Sequence, residues 1–173
     1  MKPETLWLIA GLAGTVGVLT CLWGMQNKKS GLSTRLTALD EHFQLPDLRF
    51  TYRAEQVFAT LEGVGDEGKK LLMRLWTLDF ALIASMFAMM AVVTNNVVEM
   101  AWLSAVMLAA NCLRGAADLI ENVLLMIVCA GYPRKKRAFA ANAAGAATAV
   151  KWVSAVLWVA GMFLSLFLRG WKM

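Results

Sequence analysis

Hydrophobic positions along this chain fall into four long blocks, 6–24, 71–94, 100–131 and 139–168, separated by polar stretches. A bilayer core about 30 Å thick is crossed by about 20 apolar helical residues, so each block is long enough for one helical crossing. The last two blocks exceed that length and are expected to tilt or protrude. No proline interrupts a block: Pro3 precedes the first, Pro46 lies in the first connection and Pro133 follows the third. The broken helices on which many transporters build their binding sites are therefore not signalled. The first block has one lysine before it and Met25-Gln26-Asn27-Lys28-Lys29 after it, with no small-x-small cleavage site, and reads as a retained span. The pattern predicts an all-α membrane protein, a single membrane domain over 1–173 built as a four-transmembrane-helix bundle.

The connection 26–70 is too long for a plain link. Leu32, Leu36, Leu39 and Phe43 recur at helical spacing after a cap candidate at Ser30. A second helical stretch, 51–62, puts Val57, Phe58 and Leu61 on one side. Both are expected to be short amphipathic cytoplasmic helices between spans one and two. The run Gly63-Val64-Gly65-Asp66-Glu67-Gly68 matches the dinucleotide pattern G-x-G-x-x-G, but no strand precedes it and two carboxylates stand where a phosphate would sit. A tight turn into span two is the better reading.

Composition agrees with the pattern. The chain is 59% hydrophobic and 17% charged, with mean hydropathy +0.57, too apolar for an ordinary soluble domain. Its net charge of +5 is not a nucleic-acid signal, because the basic residues gather in two loops. Lys28, Lys29, Arg35, Arg49, Arg53, Lys69, Lys70 and Arg74 follow span one; Arg134, Lys135, Lys136 and Arg137 follow span three. Against these twelve, the opposite side has Lys2, Arg169 and Lys172. The positive-inside rule then places loops 26–70 and 132–138 in the cytoplasm of a bacterial cell, with both termini outside its inner membrane. Anionic lipid is an expected partner of the loop Arg134 to Arg137. Trp7, Trp23, Trp76, Trp102 and Trp171 fall near span ends, where interfacial indole rings sit. Cys21, Cys112 and Cys129 lie in apolar spans, with one histidine, His42, and no C-x-x-C; they read as small buried residues, with no metal site and no cofactor implied. Met86, Met89 and Met90 read as apolar fill.

Against this background, charge inside a span stands out. Asn111, Arg114, Asp118, Glu121 and Asn122 occupy about a third of the circumference of one helix at about 100° per residue. Ionisable groups at that depth cost a few kcal/mol each, so the stripe is expected to face the bundle or a wet cavity. Depth counting supplies partners: Asp79 lies nine residues past Lys70, Asn122 ten before Tyr132, and Thr148 eleven after Arg137, with Lys151 one turn deeper. Asp79, Asp118, Glu121, Asn122, Thr148 and Lys151 are thus expected to meet in the cytoplasmic half, with Arg114 set apart toward the outside. Three acids face two bases, so a bound proton or cation is one way to balance the charge. A structural polar network that locks helix register is the other. Span four adds a run of small residues around Ala140 to Ala149, and span one has Ala10 with Gly14 and Ala13 with Gly17, spacings that favour close helix packing or a homo-oligomer.

Gly65-x-x-Gly68-Lys69, Asp79, Ala117-Asp118-x-x-Glu121-Asn122, Tyr132-Pro133 and Thr148-x-x-Lys151 together resemble a broad group of uncharacterised four-span bacterial membrane proteins, over roughly residues 52–151. The group's proline shortly after Asp79 is absent here. The resemblance implies a four-span fold and no activity. Three functions compete on the residues alone: a small transporter or channel-like subunit whose cluster binds a proton, a cation or a small polar or lipid ligand; a membrane enzyme on a lipid-like substrate, with Asp79 or Glu121 as acid or base; and a structural or assembly partner.

Overall fold

The computed structural model of the protein describes residues 3–170. Its elements are all helical: α1 (Pro3–Gln26), α2 (Leu32–Leu39), a 3-10 turn (Pro46–Leu48), α3 (Ala54–Val97), α4 (Ala101–Gly131) and α5 (Ala138–Gly170). Among the described residues, α1, α3 and α5 are long and apolar enough to cross a membrane. The expected fourth, α4, falls short on composition, because Arg114, Asp118 and Glu121 with Asn111 and Asn122 interrupt its apolar run. Lys2, Trp171 and Lys172 lie outside the described residues.

Helix α3 is the hub. It packs against α1 on one side and α4 on the other, while α5 lies mainly along α4; α2 tucks against α1 and the start of α3. The α1 contact is made by small residues. Cβ atoms added at Gly14 or Gly17 would run into the backbone of Ser85 and Met89 or the Ser85 side chain, so these glycines permit the close approach. Ala13 is exposed and takes no part in it.

The expected amphipathic connection forms with different limits. α2 starts after Gly31, not Ser30, and ends at Leu39, which is exposed, because Asp40 leaves helical geometry. Leu36 alone is fully buried, with Leu32 and Phe43 beside it in the main core under Trp76, Leu72 and Leu125. The stretch 51–62 forms a helix from Ala54 that meets the long apolar part of α3 at a kink, and its N-terminal Ala54 N–H is capped from another helix by Asn142 Oδ1 at 2.8 Å.

The glycine run breaks α3 into these two helical segments. Only Gly65 leaves helical geometry, at φ 63°, ψ −164°, a region closed to residues with a Cβ. No atom would obstruct a Cβ there, so the conformation itself is the constraint. Gly65→Ala should therefore lower stability by about 1–3 kcal/mol, the usual cost of such a backbone, read as a fall in unfolding temperature in detergent. Gly115→Ala, where the nearest atom lies at an ordinary 3.8 Å, is the control expected to leave it almost unchanged.

Two further expectations are corrected by packing. Trp76 is no interfacial ring but a core residue, 1% exposed, because the basic-loop end of α3 is covered by α2 and the 43–54 segment. Cys112 is exposed on the outer side of α4, unlike Cys21 and Cys129, which are buried. Trp7, Trp23 and Trp102 are exposed near helix ends as expected.

Candidate functional site

Each polar residue of the stripe on α4 faces inward because the opposite side of that helix is apolar. Trp102, Val106, Leu113, Leu119, Ile120, Val123 and Ile127 are exposed, whereas Asn111, Arg114, Asp118, Glu121 and Asn122 are buried. The facing side of α5 is made of Ala141, Ala144, Gly145, Thr148, Lys151 and Ser154, small enough for the two helices to lie close and for one long cation to enter between them.

That cation, Lys151, joins the acids of α4. Its Nζ donates to Asp118 Oδ1 at 2.9 Å and lies 2.6 Å from Glu121 Oε2. Asp118 Oδ2 in turn accepts from Arg114 Nη1 at a longer 3.3 Å. Glu121 is completely buried and also accepts from the Tyr52 hydroxyl at 3.0 Å. Across on α3, Asp79 Oδ2 accepts from Asn122 Nδ2 at 2.6 Å, and Asp79 forms no ion pair among the described residues.

Six of the seven candidate residues thus pair, in two groups: Arg114, Asp118, Lys151 and Glu121 in one, Asp79 and Asn122 in the other. Thr148 does not join them; it is buried but returns its hydroxyl to Ala144 O of its own helix. Arg114 pairs with Asp118 one turn along α4, the i, i+4 contact that its spacing allows. Tyr52 was not legible beforehand. It lies outside every span, in the extended segment before α3, and is brought in by contacts across the fold: Thr51 Oγ1 donates to Gly145 O at 3.0 Å. Nothing local to Tyr52 marks it.

The cluster is not sealed. A cavity of about 300 Å³ lies beside it, floored by Asp79, Arg114, Asp118 and Lys151. Leu22 and Met25 of α1, Leu82 and Met86 of α3, and Trp152 and Ala155 of α5 wall it, with Leu45 and Leu48 at one end. α1 and α5 flank this cavity without packing extensively against each other, and the rim residues Leu22, Trp152 and Leu48 are exposed. Away from the basic loops the bundle closes. Val98, Leu103 and Met107 pack with Met100, Trp158 and Met162, and Trp158 Nε1 donates to Thr94 Oγ1 at 3.0 Å.

Within the site some polar atoms lack a partner. Arg114 Nε and Nη2, Asn111 Oδ1, Asn122 Oδ1 and Ser154 Oγ are buried with no hydrogen bond among the described residues. A buried polar atom without a partner ordinarily costs about 1–3 kcal/mol, and buried water is the usual partner of such groups. Comparison with family models, curated proteins and solved structures finds no match to this chain.

Proposed function

We propose that this is a four-span membrane protein that holds an amphiphilic small molecule or lipid, its polar head on Asp79, Arg114, Asp118 and Lys151 and its apolar part between α1 and α5. One observation carries this: a cavity with a charged floor and apolar walls, open at the gap between two lipid-facing helices. Ligand sites of this kind are mostly apolar with a few convergent polar groups, and about 300–1,000 Å³ is their usual size. The packed Met107 and Trp158 end argues against a continuous water path for ions. The pairing of Lys151 with both Asp118 and Glu121 argues against either carboxylate as a free catalytic base. The open cavity floored by these side chains argues against a purely structural network.

In this reading α4 is the fourth crossing. Its 31 residues measure about 46 Å at 1.5 Å per residue, its exposed side is apolar, and its charges are covered by α3 and α5. The basic loops lie in the cytoplasm of a bacterial cell, so the cavity is reached from the inner leaflet, in keeping with the likeness to four-span bacterial proteins.

Photolabelling tests this. A phospholipid carrying a diazirine on its chain should label the peptides containing Met86 and Trp152 in the purified protein, and unlabelled lipid should compete. Ala155→Phe, which fills the cavity from α5, should remove that labelling while leaving unfolding unchanged. Labelling confined to the outer positions Leu119, Val123, Val156 and Leu157, without competition, would sink the proposal.

A further inference from the structure

We propose that the cavity takes a lipophilic monocation, a protonated amine with an apolar chain, whose ammonium group donates to Asp79. This rests on the reading of the cavity as an amphiphile site.

The buried charges decide the sign of the head. Glu121, Lys151, Asp118 and Arg114 form a row of alternating sign, joined at 2.6, 2.9 and 3.3 Å. Two acids and two bases make this row neutral in itself, and its Glu121 end is closed by the Tyr52 hydroxyl. Both oxygens of Asp118 are taken, Oδ1 by Lys151 and Oδ2 by Arg114. Lys151 is shared between two carboxylates. Arg114 uses Nη1 on Asp118, while its Nε and Nη2 are buried away from any surface, so it shows the cavity no unpaired nitrogen. An anionic head therefore finds the cations of the floor already committed.

Asp79 is the third acid and stands outside the row. Its Oδ2 accepts from the neutral amide of Asn122 at 2.6 Å, and it forms no ion pair among the described residues. Its Oδ1 accepts no hydrogen bond among the described residues, yet it is not one of the sealed atoms: Asp79 is 7% exposed and lines the cavity. A largely buried carboxylate without a cation is costly. A neutral head would leave that charge unmatched, and an anionic head would add a second negative group beside it. An ammonium group brings the count to three acids and three cations, and its N–H donates to Oδ1 in a charge-assisted hydrogen bond. The chain's direction follows from helix geometry. Asp79, Leu82 and Met86 are spaced i, i+3 and i+7, so they share one face of α3. A head on Asp79 lays its chain along Leu82 and Met86, opposite Trp152 and Ala155 of α5. Those walls favour a long-chain amine over a soluble one.

Photolabelling of the purified protein in detergent tests this with three probes that share one diazirine-bearing chain and differ only in the head: an alkylamine, an alkanol and an alkanesulfonate. Labelling at the exposed positions Ile120 and Val123 of α4 corrects for partition into the micelle. The alkylamine should half-saturate labelling of Met86 and Trp152 at a concentration about tenfold below either of the others, the scale of one charge-assisted contact. Asp79→Asn, which keeps the side chain's shape and an oxygen for Asn122, should raise the alkylamine to the level of the alkanol and leave the alkanol unchanged. Equal half-saturation by alkylamine and alkanol in the unaltered protein, as a proton held on Asp79 would give, would overturn the ammonium proposal and leave the amphiphile site standing, whether or not the variant folds. A preference for the sulfonate would overturn it in the same way. If butylamine competed as well as an unlabelled long-chain amine, the lipophilic class would be overturned. No labelling of Met86 or Trp152 above that of Ile120 and Val123 by any probe would overturn both readings.

Discussion

Replacing Lys151 with methionine is expected to produce the largest loss of stability in the molecule. Lys151 stands between Asp118 and Glu121, at 2.9 and 2.6 Å, and Glu121 is entirely shielded from solvent. Removing one partner of a buried ion pair typically costs about 3–5 kcal/mol, because the remaining charge stays buried without compensation. Here one cation serves two acids, which places the effect at the upper end. Methionine keeps the length and apolar volume of the lysine stem, so packing between α4 and α5 is preserved and the loss is electrostatic. Denaturation in mixed micelles, followed by circular dichroism, reads it directly. Adding Glu121→Gln to Lys151→Met should restore a large part of the loss, since the amide removes the stranded charge and its oxygen can still accept from Tyr52. Lys151→Met unfolding like the unaltered protein would show that the row of charges contributes nothing to the fold.

A methyl group at Gly145 should do comparable harm by another route. A Cβ on this residue would overlap the Tyr52 carbonyl oxygen and lie 3.0 and 3.2 Å from the Tyr52 carbonyl carbon and nitrogen. Backbone, unlike the end of a flexible side chain, cannot swing aside. The whole 51–54 segment must move, and with it the Thr51 bond to Gly145, the Tyr52 bond to Glu121 and the Asn142 cap on Ala54. Overpacking of this kind ordinarily costs about 1–3 kcal/mol, and each buried hydrogen bond broken adds to it. Tyr52→Phe is the comparison, since it removes only the hydroxyl that Glu121 accepts, at about 1–3 kcal/mol. Gly145→Ala should therefore fall below Tyr52→Phe in unfolding temperature. The reverse order would mean that the loop approaches α5 less closely than described.

These two expectations differ in how far the chain alone could have supplied them. Lys151 was identifiable by counting residues inward from Arg137, as Asp79 was from Lys70. Helical rise is constant, so depth follows from position once the spans are placed. Asp118, Glu121 and Asn122 were identifiable because a charge in an apolar helix is conspicuous whatever surrounds it. The same counting tracks the Cα alone, whereas the Arg114–Asp118 pair follows from their i, i+4 spacing. It drew in Thr148, whose hydroxyl satisfies itself on Ala144. It passed over Tyr52, whose role depends on a segment 94 residues from Gly145 in sequence folding against it.

Local chemistry along the chain determined that the protein is helical, that long apolar helices dominate it, and that its charge is gathered on one face of α4 and at matching depths in α3 and α5. These follow from periodicity and from the cost of charge in an apolar setting, both properties of short stretches of sequence. Only the tertiary structure decided which atoms pair. It set Lys151 between two acids, paired Asp79 with Asn122, turned Trp76 inward, and opened a cavity between α1 and α5. The reason is physical: pairing and void space depend on distances of a few ångströms between helices. Those distances are governed by small residues such as Gly14, Gly17 and Gly145, whose consequence appears only when a second backbone arrives.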